Sequence, residues 1–238
     1  MALPKLSYPL FEIIQPSTKK SLKFRPMTGR EEKILLIAKE SADESDILLA
    51  ISQVVNNCCM EDGFDVDAIP IFDLEFFFLK IRCVSIDNLV SITYEDGDDK
   101  KEYTVEIDLS EVTIKGENYD KPRTIKLSDN AGIQFHYPSA SLYADKEFLS
   151  MNPVDLKEEL IVRCINKIYN GDEIFDPSTS TSQEKKDFIN SLDVKTLAKI
   201  SKFFDDIPSM YYKVEYTNSL GTKREIELTT LLDFFTFR

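Results

Sequence analysis

The sequence is short of the residues on which most recognisable chemistry depends. It has one histidine, His136, and seven glycines in 238 residues. So few glycines leave little room for a phosphate-cradling loop, which needs them where the backbone closes on its ligand. His136 lies in "IQFHYP", an apolar and extended piece, and reads as a structural residue rather than a base. No serine stands in a Gly-x-Ser-x-Gly elbow, so no nucleophile is marked. Cys58, Cys59, Cys83 and Cys164 form no Cys-x-x-Cys pair, and reduced thiols are the expected state. Basic residues number 29 against 42 acids, for a formal charge of −13. A surface of that sign repels phosphate backbones and no basic block offsets it, so nucleic acid is not an expected partner. No apolar run approaches bilayer length, and "MALPKLSYPLFEII" lacks the charged region and apolar core of a signal peptide. "DGDDKKE" and "NGDEIFD" lack the spacing and terminal Glu of a calcium loop. No catalytic residue, cofactor or metal ligand is therefore assigned.

What the chain does have is a core. At 42% hydrophobic its composition is that of a globular protein, and its length suits one large domain or two small ones. Two short strands are expected around "PSTKK". Thr28 with Glu31 three residues later is a capping box, predicting a helix whose apolar face is Ile34, Leu35, Ile37 and Ala38. Ser45 or Asp46 is expected to cap a second helix through Ile47, Leu48, Ile51, Val54 and Val55. From Val90 the period is two, giving a hairpin with a charged tip at "EDGDDKK". "RTIKLSDNAGIQFHYP" reads as two more strands. After Pro153 a helix is expected through Leu156, Leu160, Ile161, Cys164, Ile165 and Ile168. Two short helices follow, the second capped by Asp193, and then a second hairpin before "LLDFFTFR".

The expected class is α+β, with helices packed on antiparallel hairpins and no doubly wound parallel sheet. The expected division is an α+β domain over 1–170, a linker over 171–184 and a small helical-hairpin domain over 185–238.

The most unusual passage is "IFDLEFFFLKIRCVSIDNL". Phe72, Phe76 and Leu79 form one helical stripe, and Leu74, Phe78 and Ile81 a second. Together they cover most of a helix circumference, which predicts a buried helix, although Phe and Ile also suit a strand. Core packing is the expected role, against a ligand-binding box. Leu231, Leu232, Phe234, Phe235 and Phe237 are the candidate interaction residues. Clustered at the chain end, they either pack back on their own domain or dock on a partner.

Taken in order, "LKFRPMTGREEKILLIAKES", "FDLEFFFLKIRCVS", "VEIDLSEV", "KIYNGDEIFD", "KFFDDIP" and "LLDFF" resemble the hub protein family of T-even-type contractile-tailed phage baseplates. The resemblance runs from about residue 8 to 236. It implies a non-enzymatic hub or hub-assembly protein of tail morphogenesis, with other hub or tail proteins as partners. The implied location is the host cytoplasm during assembly and then the virion baseplate. Many relatives carry Cys-x-x-Cys pairs in their hairpins. Here those places read "TYEDGDDKKEY" and "EYTNSLGTKRE", so no zinc knuckle is expected. Two alternatives stay open: a hub-assembly chaperone that leaves before the virion matures, and a carboxylate-dependent tail-associated hydrolase.

Overall fold

The structure is a computed structural model that describes residues 7–41, 43–116 and 123–234. Strands β1 (Phe11–Ile14) and β2 (Ser21–Phe24) pair antiparallel, with Phe11 opposite Phe24. Helix α1 (Gly29–Ser41) starts as its sequence signal says. Thr28 donates through its N–H (2.9 Å) and its hydroxyl (2.6 Å) to Glu31, which also forms a bidentate pair with Arg25 at 3.0 and 3.2 Å. Ile34, Leu35 and Ala38 turn inward, but Ile37 is 58% exposed. It lies one residue beyond the arc that a 100° step keeps against the neighbouring helix.

Helix α2 (Glu44–Cys58) is capped by Asp43, not by Ser45 or Asp46. Asp43 holds the extended backbone that a cap requires, and its carboxylate accepts the N–H of Ser45 at 2.9 Å. The end of α2 is sewn to β2, since Arg25 N–H donates to the Cys58 carbonyl and Met60 N–H to that of Lys23.

Helix α3 (Ile71–Ser85) is the passage "IFDLEFFFLKIRCVS", and helix rather than strand is what forms. Phe72, Leu74, Phe77, Leu79 and Ile81 are all fully buried. Two aromatic chains meet on it. Phe77 packs on Phe24 and Phe64 with centroids 5.1 and 6.2 Å away, while Phe72 meets Tyr137 at 5.2 Å, and Tyr137 in turn meets Phe203 at 5.5 Å. The helix therefore lies between two cores and belongs to both. Its buried Asp73 accepts from Gln15 (2.7 Å), from the N–H of Ser17 (3.0 Å) and from the Ser17 hydroxyl, which pins the β1–β2 turn to α3.

Strands β3 (Leu89–Glu95) and β4 (Glu102–Asp108) form the expected first hairpin. Strand β5 (Thr113–Lys115) follows, and then β6 (Arg123–Lys126) and β7 (Ala131–Phe135). Short helices α4 (Ala140–Tyr143) and α5 (Lys146–Leu149) lead to α6 (Pro153–Arg163), capped by Asn152. The expected helix does not continue through Ile165 and Ile168. Those residues open β8 (Ile165–Asn170), where β-branched side chains fit a pleated surface beside β7.

Strand β9 (Glu173–Phe175) completes an antiparallel sheet in the order β6-β7-β8-β9. The ring of Tyr169 covers Gly132 across the β7–β8 pair so closely that a Cβ there would collide with it. Helices α7 (Ser182–Asn190) and α8 (Val194–Asp205) are capped by Thr181, in a capping box with Glu184, and by Asp193. The second hairpin is β10 (Ser209–Thr217) with β11 (Lys223–Leu228), and β10 also pairs with β5. A one-turn helix, α9 (Leu231–Phe234), ends the described chain.

The fold is α+β, and every strand pair among the described residues is antiparallel. The cores do not follow a division at 171–184. One core takes Ile13 to Val112, Ala140, and Met210 to Phe234; the other takes Ile133 to Phe204. Residues 171–184 hold β9, which pairs with β8, and the start of α7. The hairpin after residue 208 returns to the first, because its strand β10 has its partner β5 there.

Candidate interaction surface

Of the terminal cluster, Leu231 (6% exposed) and Phe234 (fully buried) are in the first core. The side chain of Leu232, and Phe235 and Phe237, lie outside the described residues. The position of α9 is set by two carboxylates. Asp233 accepts the N–H groups of Thr229 and Thr230, each at 2.8 Å, and Glu75 of α3 accepts that of Leu231 at 3.4 Å.

The charged tip of the first hairpin is not a free acidic loop. Asp96 is fully buried and accepts from the Tyr216 hydroxyl (2.7 Å), the Asn218 amide (3.4 Å) and Arg224 (3.2 Å). Arg224 also pairs with Asp98. Asp99 accepts from the Tyr103 hydroxyl (2.6 Å) and the Ser219 N–H (3.0 Å), and the rings of Tyr103 and Tyr216 stand 4.9 Å apart. The two hairpins thus lock tip to tip through hydrogen bonds. The hydrogen bond from Tyr216 leads the set that holds the Asp96 carboxyl well below the usual carboxylate range.

Exposed apolar surface gathers elsewhere. Met27, Leu35, Ala38, Ile47, Phe78 and Ile86 line a groove between α1, α2 and the end of α3. Ile86 is 66% exposed, and α1 also exposes Leu36 and Ile37.

The acids spaced two apart in α3 are not brought together. Asp73 faces the β1–β2 turn, whereas Glu75 lines a cavity of about 510 Å³ between the two cores. Burial pushes the Glu75 carboxyl up to about 7, against the Leu231 N–H and with the charge of Asp233 adding to the rise. Burial also raises the thiols of Cys58, to about 11, and Cys164, to about 12, which makes both poor nucleophiles. His136 is exposed, with Nδ1 2.8 Å from the Tyr137 carbonyl.

Among the described residues no three His, Cys, Asp or Glu side chains converge as metal ligands, and no helix is long and apolar enough to cross a membrane. Glu75 and the α1–α3 groove are not marked as sites in the sequence, and the tip from Asp96 to Lys101 offers itself there only as a second place to look for assembly contacts. Each depends on neighbours far along the chain, except that the exposed Leu36 and Ile37 follow an inward-facing pair on the same helix.

No curated protein and no solved structure matches the chain. A family model described as T4 bacteriophage base plate protein matches residues 9–236, and the chain belongs to that family.

Proposed function

We propose that this baseplate protein is a non-enzymatic component of the hub, or a factor that assembles it, acting in tail morphogenesis through protein–protein contacts. The observation that carries the reading is the extent of the family match, residues 9–236. The α1–α3 groove and the chain end supply surfaces for neighbours. Leu231 and Phe234 anchor that end, and Phe235 and Phe237 beyond them are the docking aromatics. Partners are other hub or tail proteins, met in the host cytoplasm and retained in the baseplate. A hydrolase with paired carboxylates has less support. Glu75 carries the raised pKa of a general acid, but its neighbour Asp233 is committed to two backbone N–H groups.

Infection with phage carrying a stop codon in this gene tests the reading. The expected result is tails or tail precursors without complete baseplates. Normal tails in its absence would overturn the assignment. If assembly fails while the chain is also absent from wild-type virions, the chaperone alternative takes its place.

A further inference from the structure

The four acids buried among the described residues each have strong partners. Glu31 takes Arg25 and Thr28, Asp73 takes Gln15 and Ser17, Asp96 takes Tyr216 and Arg224, and Glu159 takes Arg163 and Lys186. Glu75, half-buried on the cavity wall, is the exception. Among the described residues its one hydrogen bond is the 3.4 Å contact from Leu231 N–H, long for a charged acceptor, and no ion pair includes it. The cavity it faces has Ile47, Leu48, Ile71, Leu149, Ile207 and Leu231 on its aliphatic walls, with Ser45, Ser209, Thr229 and Thr230 also on the lining. Its volume of about 510 Å³ is that of a ligand site rather than a packing defect. Tyr143 on the same lining brings an aromatic side chain, and Asp233 adds a second negative charge close to Glu75.

We propose that this cavity binds a cationic group carried on an aliphatic stem, an alkylammonium or alkylguanidinium, with Glu75 as counter-ion and the aliphatic walls receiving the stem. A charge entering a space with so much aliphatic wall is favoured by an opposite charge already there, and Glu75 supplies it. A bare stem would leave the carboxylate unpaired, and a bare cation would leave the walls unfilled. The chemistry is that of a free alkylamine and equally that of a lysine or arginine side chain offered by a neighbouring protein. Binding is strongest when Glu75 is ionised. The titratable groups it senses are Asp233 on α9 and Tyr143 on α4.

The test is titration of the full-length protein with n-butylammonium, n-butylguanidinium and neutral 1-butanol, followed by NMR of the methyl groups of Leu48, Leu149 and Leu231. Saturable shifts with both cations and none with the alcohol are expected. E75Q should weaken cation binding about tenfold or more, the loss of a charge-assisted contact. Between pH 6 and pH 8 the wild-type affinity should rise about tenfold as the ionised fraction of Glu75 grows. Leu149→Phe, on the half-open wall, narrows the cavity without touching the carboxylate and should weaken both cations if E75Q fails to fold. Absence of saturable shifts, or equal binding by folded E75Q, would overturn the site. A photo-cross-linker at Leu149 in assembling phage separates the sources. Attachment to a lysine- or arginine-bearing segment identifies a protein ligand, whereas an amine released on acid extraction of the purified chain identifies a free one.

Discussion

The first core draws on Ile13 to Val112 and again on Met210 to Phe234, with Ala140 as its one buried member between them, whereas the buried members of the second all fall within Ile133 to Phe204. The second is therefore set inside the first, between β5 and β10, which pair directly through Tyr211 and Thr113. Closing so long a loop adds little beyond what a shorter one would require, because the entropic term grows only with the logarithm of length. The buried members of the second core lie within residues 133–204, whereas the contacts that seal the first join the two ends of the chain. The difference teaches where each half is vulnerable. The first depends on its carboxyl-terminal return, and the second leans on the first where Phe72 of α3 packs on Tyr137.

The largest expected effect comes from removing that return. Truncation after Thr230 deletes Leu231 and Phe234 from the first core and releases the bonds made by Asp233. Loss of the buried Phe alone costs about 3–5 kcal/mol, so the first core should melt far below its normal temperature. Truncation after Phe234 keeps those contacts; it should leave the melt unchanged and weaken only assembly if Phe235 and Phe237 dock. Circular dichroism with co-purification reads both. An unchanged melt after removal of residues 231–238 would show that the carboxyl-terminal return does not hold the first core.

Phe77→Ala and Phe148→Ala then sharpen the comparison, since each removes a fully buried ring from a different core at about 3–5 kcal/mol. Hydrogen exchange should quicken across 11–24, 71–108 and 209–228 in the first variant, and across 131–170 in the second. Phe78→Ala should resemble Phe77→Ala, while Phe76, half-buried, should matter less. Equal acceleration everywhere in both variants would mean one cooperative unit.

Much of the local structure was legible because its causes are local. The Thr28–Glu31 box, the Asp193 cap and the two alternating hairpins depend on residues within a few positions of one another. The buried α3 followed from apolar residues on every side of the helix. The nested plan was not legible, since nothing near Thr113 or Tyr211 marks them as partners. Ile165 and Ile168 misled because the same side chains continue the helical period of α6 while suiting a strand. Asp96 looked like one more solvated acid of a charged tip until Tyr216, Asn218 and Arg224 arrived from about 120 positions later. Glu75 is likewise ordinary in sequence, and only the cavity gives it meaning.

A smaller loss is expected for Asp96→Asn, which keeps the shape but removes the charge that Arg224 and the tip hydrogen bonds address. Thermal melts should fall at neutral pH and converge with wild type in acid. Asp96 is held low, and the bonds of Arg25 and Thr28 hold Glu31 down to about 2 despite burial, against 4.5 for an ordinary glutamate. Groups with depressed pKa values stabilise the fold above the unfolded value and lose that contribution as pH falls through the folded one. The first core should therefore weaken as pH drops below about 4.5.

The smallest expected effect has the opposite sign. Glu75, raised to about 7 from 4.5, favours the fold below the unfolded value and loses that contribution as pH rises through 7. Glu75→Gln should match wild type near pH 4 and melt slightly higher at pH 8. A variant less stable at both pH values would mean that the carboxylate is already paired.

Cross-linking mass spectrometry of purified baseplates and their assembly intermediates tests the central claim most directly. The chain should be present there, and its cross-links from α1, the end of α3 and the carboxyl-terminal segment should reach other baseplate proteins. Absence of the chain from baseplates and from every intermediate would contradict the account.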